Sequence, residues 1–154
     1  KWAAVQEFER TLRGDDMISV RKQEVVKLED VSHLYQAVGW TNYTHQPQML
    51  EKALSHSLAI YLALDGDAVV GLVRLVGDGF SSVFVQDLIV FPSYQRQGIG
   101  SDLMKEALGD FKDTYQVQLV TEQTEKTLRF YRSLGFETLS TYDCTGMIWL
   151  DRKK

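Results

Sequence analysis

Gln95-Arg96-Gln97-Gly98-Ile99-Gly100 joins a strand-like run, "LIVFP", to a stretch with helical spacing. Glycine weakens helices, so two of them at a helix start need a reason. A helix start exposes unpaired N–H groups and the positive end of the helix dipole. Glycines there let the backbone approach an anion, and Arg96 adds a formal charge. The six residues therefore suit a phosphate-bearing ligand; the structural alternative is a tight turn that needs Gly98 for its dihedrals. Two familiar phosphate loops do not fit. Leu103 stands where a Rossmann fingerprint needs its third glycine, and "GIGSDLMK" lacks the Gly-Lys-Ser/Thr run of a Walker loop.

The flanking elements must hold this loop in place. Upstream, "SLAIYLALDGDAVVGLVRLVGDGFSSVFVQDLIVFP" carries Asp65-Gly66 and Gly77-Asp78-Gly79, both hairpin turn signals, so three strands form an antiparallel meander. Downstream, Ile99, Leu103, Met104, Ala107, Leu108 and Phe111 repeat with helical period. "YQVQLVTE" is the next strand, which makes the passage a right-handed parallel crossover. Earlier in the chain, "LEDVSHLYQAVGW" and "PQMLEKALSHS" read as helices, and "MISVRKQ" as a first strand. A last helix runs from about Thr124 to Gly135, and "FETLSTYD" with "TGMIWLDR" reads as a terminal antiparallel pair. The expected class is α+β, with a mixed, mostly antiparallel sheet of about six or seven strands and about four helices.

Composition narrows the function. At 154 residues, 44% hydrophobic and 25% charged, the chain suits one soluble domain. Trp2, Val5, Phe8 and Leu12 have roughly helical spacing, and residues 1–16 read as an extension ahead of a domain at 17–154. A net charge of −4 supports neither a nucleic-acid nor an anionic-membrane partner. Cys144 stands alone, which suits a reducing cytoplasm and reads as a structural thiol. His33, His45 and His56 lack metal-ligand spacing, so no metal is expected.

The loop matches the Gln/Arg-x-x-Gly-x-Gly/Ala pattern of the GNAT (Gcn5-related N-acetyltransferase) superfamily. "LIVFPSYQRQGIGSDLM" resembles that family's strand, loop and helix almost position by position. "LRFYRSLGF" resembles its Phe-Tyr-x-x-x-Gly-Phe helix end, and the spacing between the two blocks agrees. The chain thus resembles a small bacterial-type GNAT domain.

The resemblance implies acetyl-CoA as donor, with the amides around Gln95, Arg96, Gln97, Gly98, Ile99, Gly100 and Ser101 on its pyrophosphate. It implies a pantetheine arm paired along Leu88, Ile89 and Val90, in an opening between that strand and the one after the loop helix. It makes Tyr131 the candidate acid for the thiolate leaving group, with packing as the alternative, and puts Phe130 on the cofactor cleft. Many relatives carry asparagine and alanine where this chain has Thr124 and Thr127. Thr124 can still cap the helix and offer a hydroxyl to the cofactor.

An amine must lose a proton before it attacks a thioester. Asp87 shares a strand face with Ile89, opposite Leu88 and Val90, and is the candidate base. "AVGWTNYTHQ" is aromatic and polar for a helix connection, so Trp40 and Tyr43 are candidate acceptor contacts. The expected activity is direct acetyl transfer to a primary amine of a small molecule, peptide or protein, by a monomer or homodimer without a covalent acyl-enzyme. A non-catalytic acyl-CoA-binding sensor is the alternative.

Overall fold

Runs of Val, Ile, Leu and Ala bounded by turn residues become the sheet, and six strands lie in it in chain order. They are β1 (Phe8–Leu12), β2 (Asp16–Lys22), β3 (Ala59–Asp65), β4 (Ala68–Gly77), β5 (Ser82–Val90) and β6 (Gln116–Leu119). Each neighbour pair is antiparallel until β6, which runs parallel to β5. The computed structural model describes residues 8–12 and 16–151. The chain divides into two units, Lys1–Val120, which holds the whole sheet, and Thr121–Lys154.

In the first unit, α1 (Leu28–Ala37), α2 (Thr41–Thr44) and α3 (Pro47–Ser55) lie between β2 and β3 in sequence, and α4 (Ile99–Asp110) between β5 and β6. Gly39, at φ +72°, ends α1, and Pro47 opens α3 where its missing N–H costs no helix bond. Val31, Leu34, Tyr35, Leu50 and Leu54 from α1 and α3 pack on Ile60, Leu62, Leu72 and Ile89 of the sheet. On α4, Ile99, Leu103, Met104 and Ala107 are buried. A sheet covered on both faces explains why β3 is buried at six consecutive positions instead of alternating. Among the described residues, no helix is long and apolar enough to cross a membrane.

Two sequence expectations change. Phe8–Leu12 is a strand paired with β2, not part of a helix; Trp2 and Val5 lie outside the described residues. The terminal antiparallel pair is not formed among the described residues: Leu139–Tyr142 is a short 3-10 helix, and residues 144–151 carry no strand. The second unit contributes α5 (Glu125–Ser133) to the count of helices.

One close approach seats α4. A Cβ added to Gly71 would lie 3.1 Å from the Ile89 carbonyl oxygen and 3.2 Å from Leu103 Cδ1. We expect Gly71→Val to cost about 1–3 kcal/mol through overpacking, measured as a lowered urea midpoint with unchanged m. A midpoint equal to the parent's would show that α4 is not seated through this contact.

Candidate active site

After β5, a single 3-10 turn at Pro92–Tyr94 hands the chain to a loop with two left-handed residues, Arg96 (φ 63°) and Gly98 (φ 84°). Glycine adopts this conformation freely, whereas an L-residue such as Arg96 pays about 1–2 kcal/mol. Such alternation of hand curls successive N–H groups toward one side, the geometry of an anion-binding concavity. The first helical bond of α4 is donated by the Asp102 amide to the Gly98 carbonyl, at 3.0 Å. The six amides of Arg96, Gln97, Gly98, Ile99, Gly100 and Ser101 donate to no backbone carbonyl within the described residues. Gly100 sits inside the first turn of α4.

Two side chains brace the loop: Gln95 Nε2 donates to the Val90 carbonyl at 3.0 Å, and Gln97 Nε2 reaches the Ser93 carbonyl at 3.4 Å.

The strand leading into the loop has an open side. β5 pairs with β6 only from Ser82↔Gln116 to Val85↔Leu119, while its pairing with β4 continues to Val90↔Gly71. Among the described residues, the edge of β5 away from β4 has no strand neighbour from Gln86 to Val90, a stretch that contains Leu88, Ile89 and Val90. A bulge lies at the same place: Leu75 pairs with Val85 but Arg74 with Asp87, so Gln86 is an extra residue. The bulge exchanges the faces. Val83 and Val85 line a seam with Met104 and Ala107 of α4, whereas Ile89 packs in the α1–α3 cluster.

Asp87 follows Ile89 to that second face. It is buried, and Arg74 Nε donates to its Oδ2 at 2.7 Å. The Tyr35 hydroxyl donates to the same oxygen at 2.8 Å, and the Tyr43 hydroxyl to Oδ1 at 2.9 Å. Arg74 Nη2 and Gln86 Nε2 each approach the Tyr43 oxygen at 3.3 Å. Burial, then the Asp87 charge, pushes the Tyr35 and Tyr43 phenols up, so both stay protonated donors. For Arg74, burial pulls downward, but Asp87 outweighs it and the guanidinium stays charged. Trp40, half-buried, meets Tyr35 edge-on and Tyr43 at a tilt, with centroids 6.1 and 6.3 Å away. Through these bonds Asp87 ties Tyr43, on α2, to β5.

In the second unit, the Thr124 side chain caps α5 by accepting from the Thr127 amide at 3.2 Å. The Tyr131 ring meets Phe130 and Phe136 edge-on, with centroids 4.9 and 5.9 Å away. Burial raises its phenol above the ordinary range, partly offset by a hydrogen bond to Thr121. Cys144, expected as a buried thiol, is exposed.

Comparison with known proteins gives the family. Residues 56–138 match the family model described as "Acetyltransferase (GNAT) domain". The chain belongs to the GNAT family of acetyltransferases. A GNAT-family acetyltransferase of Streptococcus pneumoniae TIGR4 is 79% identical, over 88% of this chain and 99% of that one, with a TM-score of 0.82. GCN5-related N-acetyltransferase 1, chloroplastic, of Arabidopsis thaliana is 28% identical, over 87% of this chain and 68% of its own length. The PaiA N-acetyltransferase of Thermoplasma acidophilum, solved with coenzyme A, shares the fold: 17% identity, TM-score 0.61, 77% of this chain and 89% of that one.

In this GNAT domain, Tyr35 and Arg74 were not singled out from sequence, although a signal was present. Arg74 interrupts "VVGLVRLVG" and Asp87 interrupts "VFVQDLIV", and lone charges in adjacent apolar strands call for pairing. Removing one partner of a buried ion pair costs about 3–5 kcal/mol. Asp87→Asn should therefore lower the unfolding free energy by roughly the lower end of that range, read from urea denaturation. Unchanged stability together with abolished turnover would favour a base role for Asp87 over an anchoring one.

Proposed function

We propose that residues 17–154 transfer an acetyl group directly from acetyl-coenzyme A to a primary amine of a small molecule, peptide or protein. One conjunction carries this reading: an open β5 edge at Gln86–Val90 runs into six unbonded amides at Arg96–Ser101. A pyrophosphate suits the amides, and an amide-bearing arm suits a strand edge. The coenzyme A held by the PaiA protein of like fold supports the same donor. When bound, the donor supplies a thioester carbonyl reactive toward amines.

The chain's own residues then divide the work. Loop amides hold the anionic end, and the backbone of Leu88, Ile89 and Val90 aligns the arm. Trp40 and the anchored Tyr43 line the acceptor side, where aromatic faces favour a cationic or aromatic amine. Thr124 and Phe130 belong to the donor side. As the amine nitrogen bonds to the acetyl carbon, the carbon–sulfur bond breaks and the thiolate takes the Tyr131 proton; the amine proton leaves through water. Tyr131 is chosen for its motif position and for the burial that keeps its phenol protonated. The lone Cys144 suits work in a reducing cytoplasm.

Two variants test the reading. Valine strongly disfavours the left-handed conformation that Gly98 adopts, so Gly98→Val should abolish acetyl-CoA binding in calorimetry while circular dichroism stays native. Retained affinity would remove the loop from donor binding. Tyr131→Phe should lower kcat by roughly 10²–10⁴-fold with little change in donor affinity. In the parent, activity needing the protonated phenol should fall only above the ordinary phenol value of about pH 10, and the variant should lose that limb. Parent-level kcat, with chemistry rate-limiting, would exclude Tyr131 as the acid.

A further inference from the structure

We propose that Tyr94 is a positioning residue for the donor loop, holding it in its binding form through a hydrogen bond to Asp65; this rests on the acetyl-CoA reading above. The Tyr94 hydroxyl donates to Asp65 Oδ2 at 2.5 Å, across 29 residues of sequence. The two ends of this bond differ in what fixes them. Asp65 is the last residue of β3, in register with Ile18 of β2 on one side and Ala68 of β4 on the other. Tyr94 closes the 3-10 turn that begins at Pro92, just ahead of the left-handed Arg96. The bond thus ties the start of the loop to a sheet position that is paired on both sides.

The loop needs such a tie. A side-chain-bearing residue persists in the left-handed region only where its surroundings over-determine it, and Arg96 is one, at φ 63°. The Gln95 and Gln97 side chains bond to Val90 and Ser93 in the same stretch of chain, so they shape the loop without fixing it against the hairpin. Upstream, the Phe91 amide donates to the Val70 carbonyl at 2.8 Å, and the Phe91 ring lies 6.3 Å from that of His33 on α1. Tyr94 carries this anchorage onward, to the threshold of the amides at Arg96–Ser101. A ligand that meets a loop already in its binding form loses no affinity to reordering it. The charge on Asp65 acts the other way, since a carboxylate repels an anionic ligand. Geometry and charge therefore push donor affinity in opposite directions, and substitution separates them.

Calorimetry with acetyl-CoA on the full chain, at a temperature where circular dichroism shows each variant folded, reads the tie directly. Tyr94→Phe should raise the Kd by about 3–10-fold, the loss of one hydrogen bond. Asp65→Ala should raise it similarly, and the double variant no further than either single one. Asp65→Asn keeps an acceptor oxygen and sheds the charge, so it should bind at least as tightly as the parent. Parent-like affinity in Tyr94→Phe, tighter binding in Asp65→Ala, or additive losses in the double variant would each overturn the proposal and leave the donor assignment standing. A parent with no affinity for acetyl-CoA would overturn both.

Discussion

A strand inside a sheet must satisfy backbone groups on both of its edges, and β5 does so only as far as Val85. Everything distinctive about the site follows from this. Beyond Val85 the strand keeps β4 on one side, which holds it extended, and leaves the other side with donors and acceptors to offer. The bulge at Gln86 coincides with the end of β6 pairing, and a bulge adds twist where the sheet opens. The same strand then runs into the Arg96–Gly98 turn, whose amides are also unbonded. Open edge and anion cradle are thus consecutive stretches of one backbone, an extended ligand's two requirements in series.

The bulge has a second effect, on the opposite face. It carries Asp87 away from the α4 side and into the layer formed by α1, α2 and α3, where Arg74, Tyr35 and Tyr43 meet it. Burying a carboxylate costs several kcal/mol unless it is paired and hydrogen-bonded, and here both oxygens are engaged. A well-packed apolar cluster would be about as stable, so stability alone does not account for the arrangement. What the charges add is direction: Tyr43, on the four-residue α2, is tied to the strand bearing the bulge. The connection between α1 and α3 is thereby held beside β5 by a polar contact with defined geometry.

Periodicity and turn chemistry made α1, α3, the three-stranded meander and the β5–α4–β6 crossover readable, because each is decided by local sequence. The loop was readable for the same reason, since left-handed dihedrals select glycine at position 98. Features that depend on a partner strand were not. Phe8 and Leu12 fit a helical period, yet the residues between them pair with β2. "TGMIWLDR" has the pattern of a strand, yet residues 144–151 are not in one. The Asp87 cluster was half visible: alternation put Asp87 with Ile89, but only the register shift shows that Arg74 lies opposite.

The two sides of the proposed reaction rest on different materials. Donor recognition as proposed is carried by main-chain groups at Leu88–Val90 and Arg96–Ser101, so it depends on dihedrals and strand pairing and little on side-chain identity. Replacing Leu88 by another β-former leaves that edge as it was. Acceptor recognition as proposed instead depends on Trp40 and on Tyr43, whose hydroxyl is held by one buried carboxylate. A change at Asp87, Arg74 or Tyr35 reaches the acceptor wall without touching the loop, while a change at Gly98 reaches the donor without touching the wall. The bulge at Gln86 is the joint between them, since it both ends the β6 pairing and delivers Asp87 to Tyr43. Moving the bulge by one residue would misplace both at once, which makes its position, more than any single side chain, the structural determinant of the site.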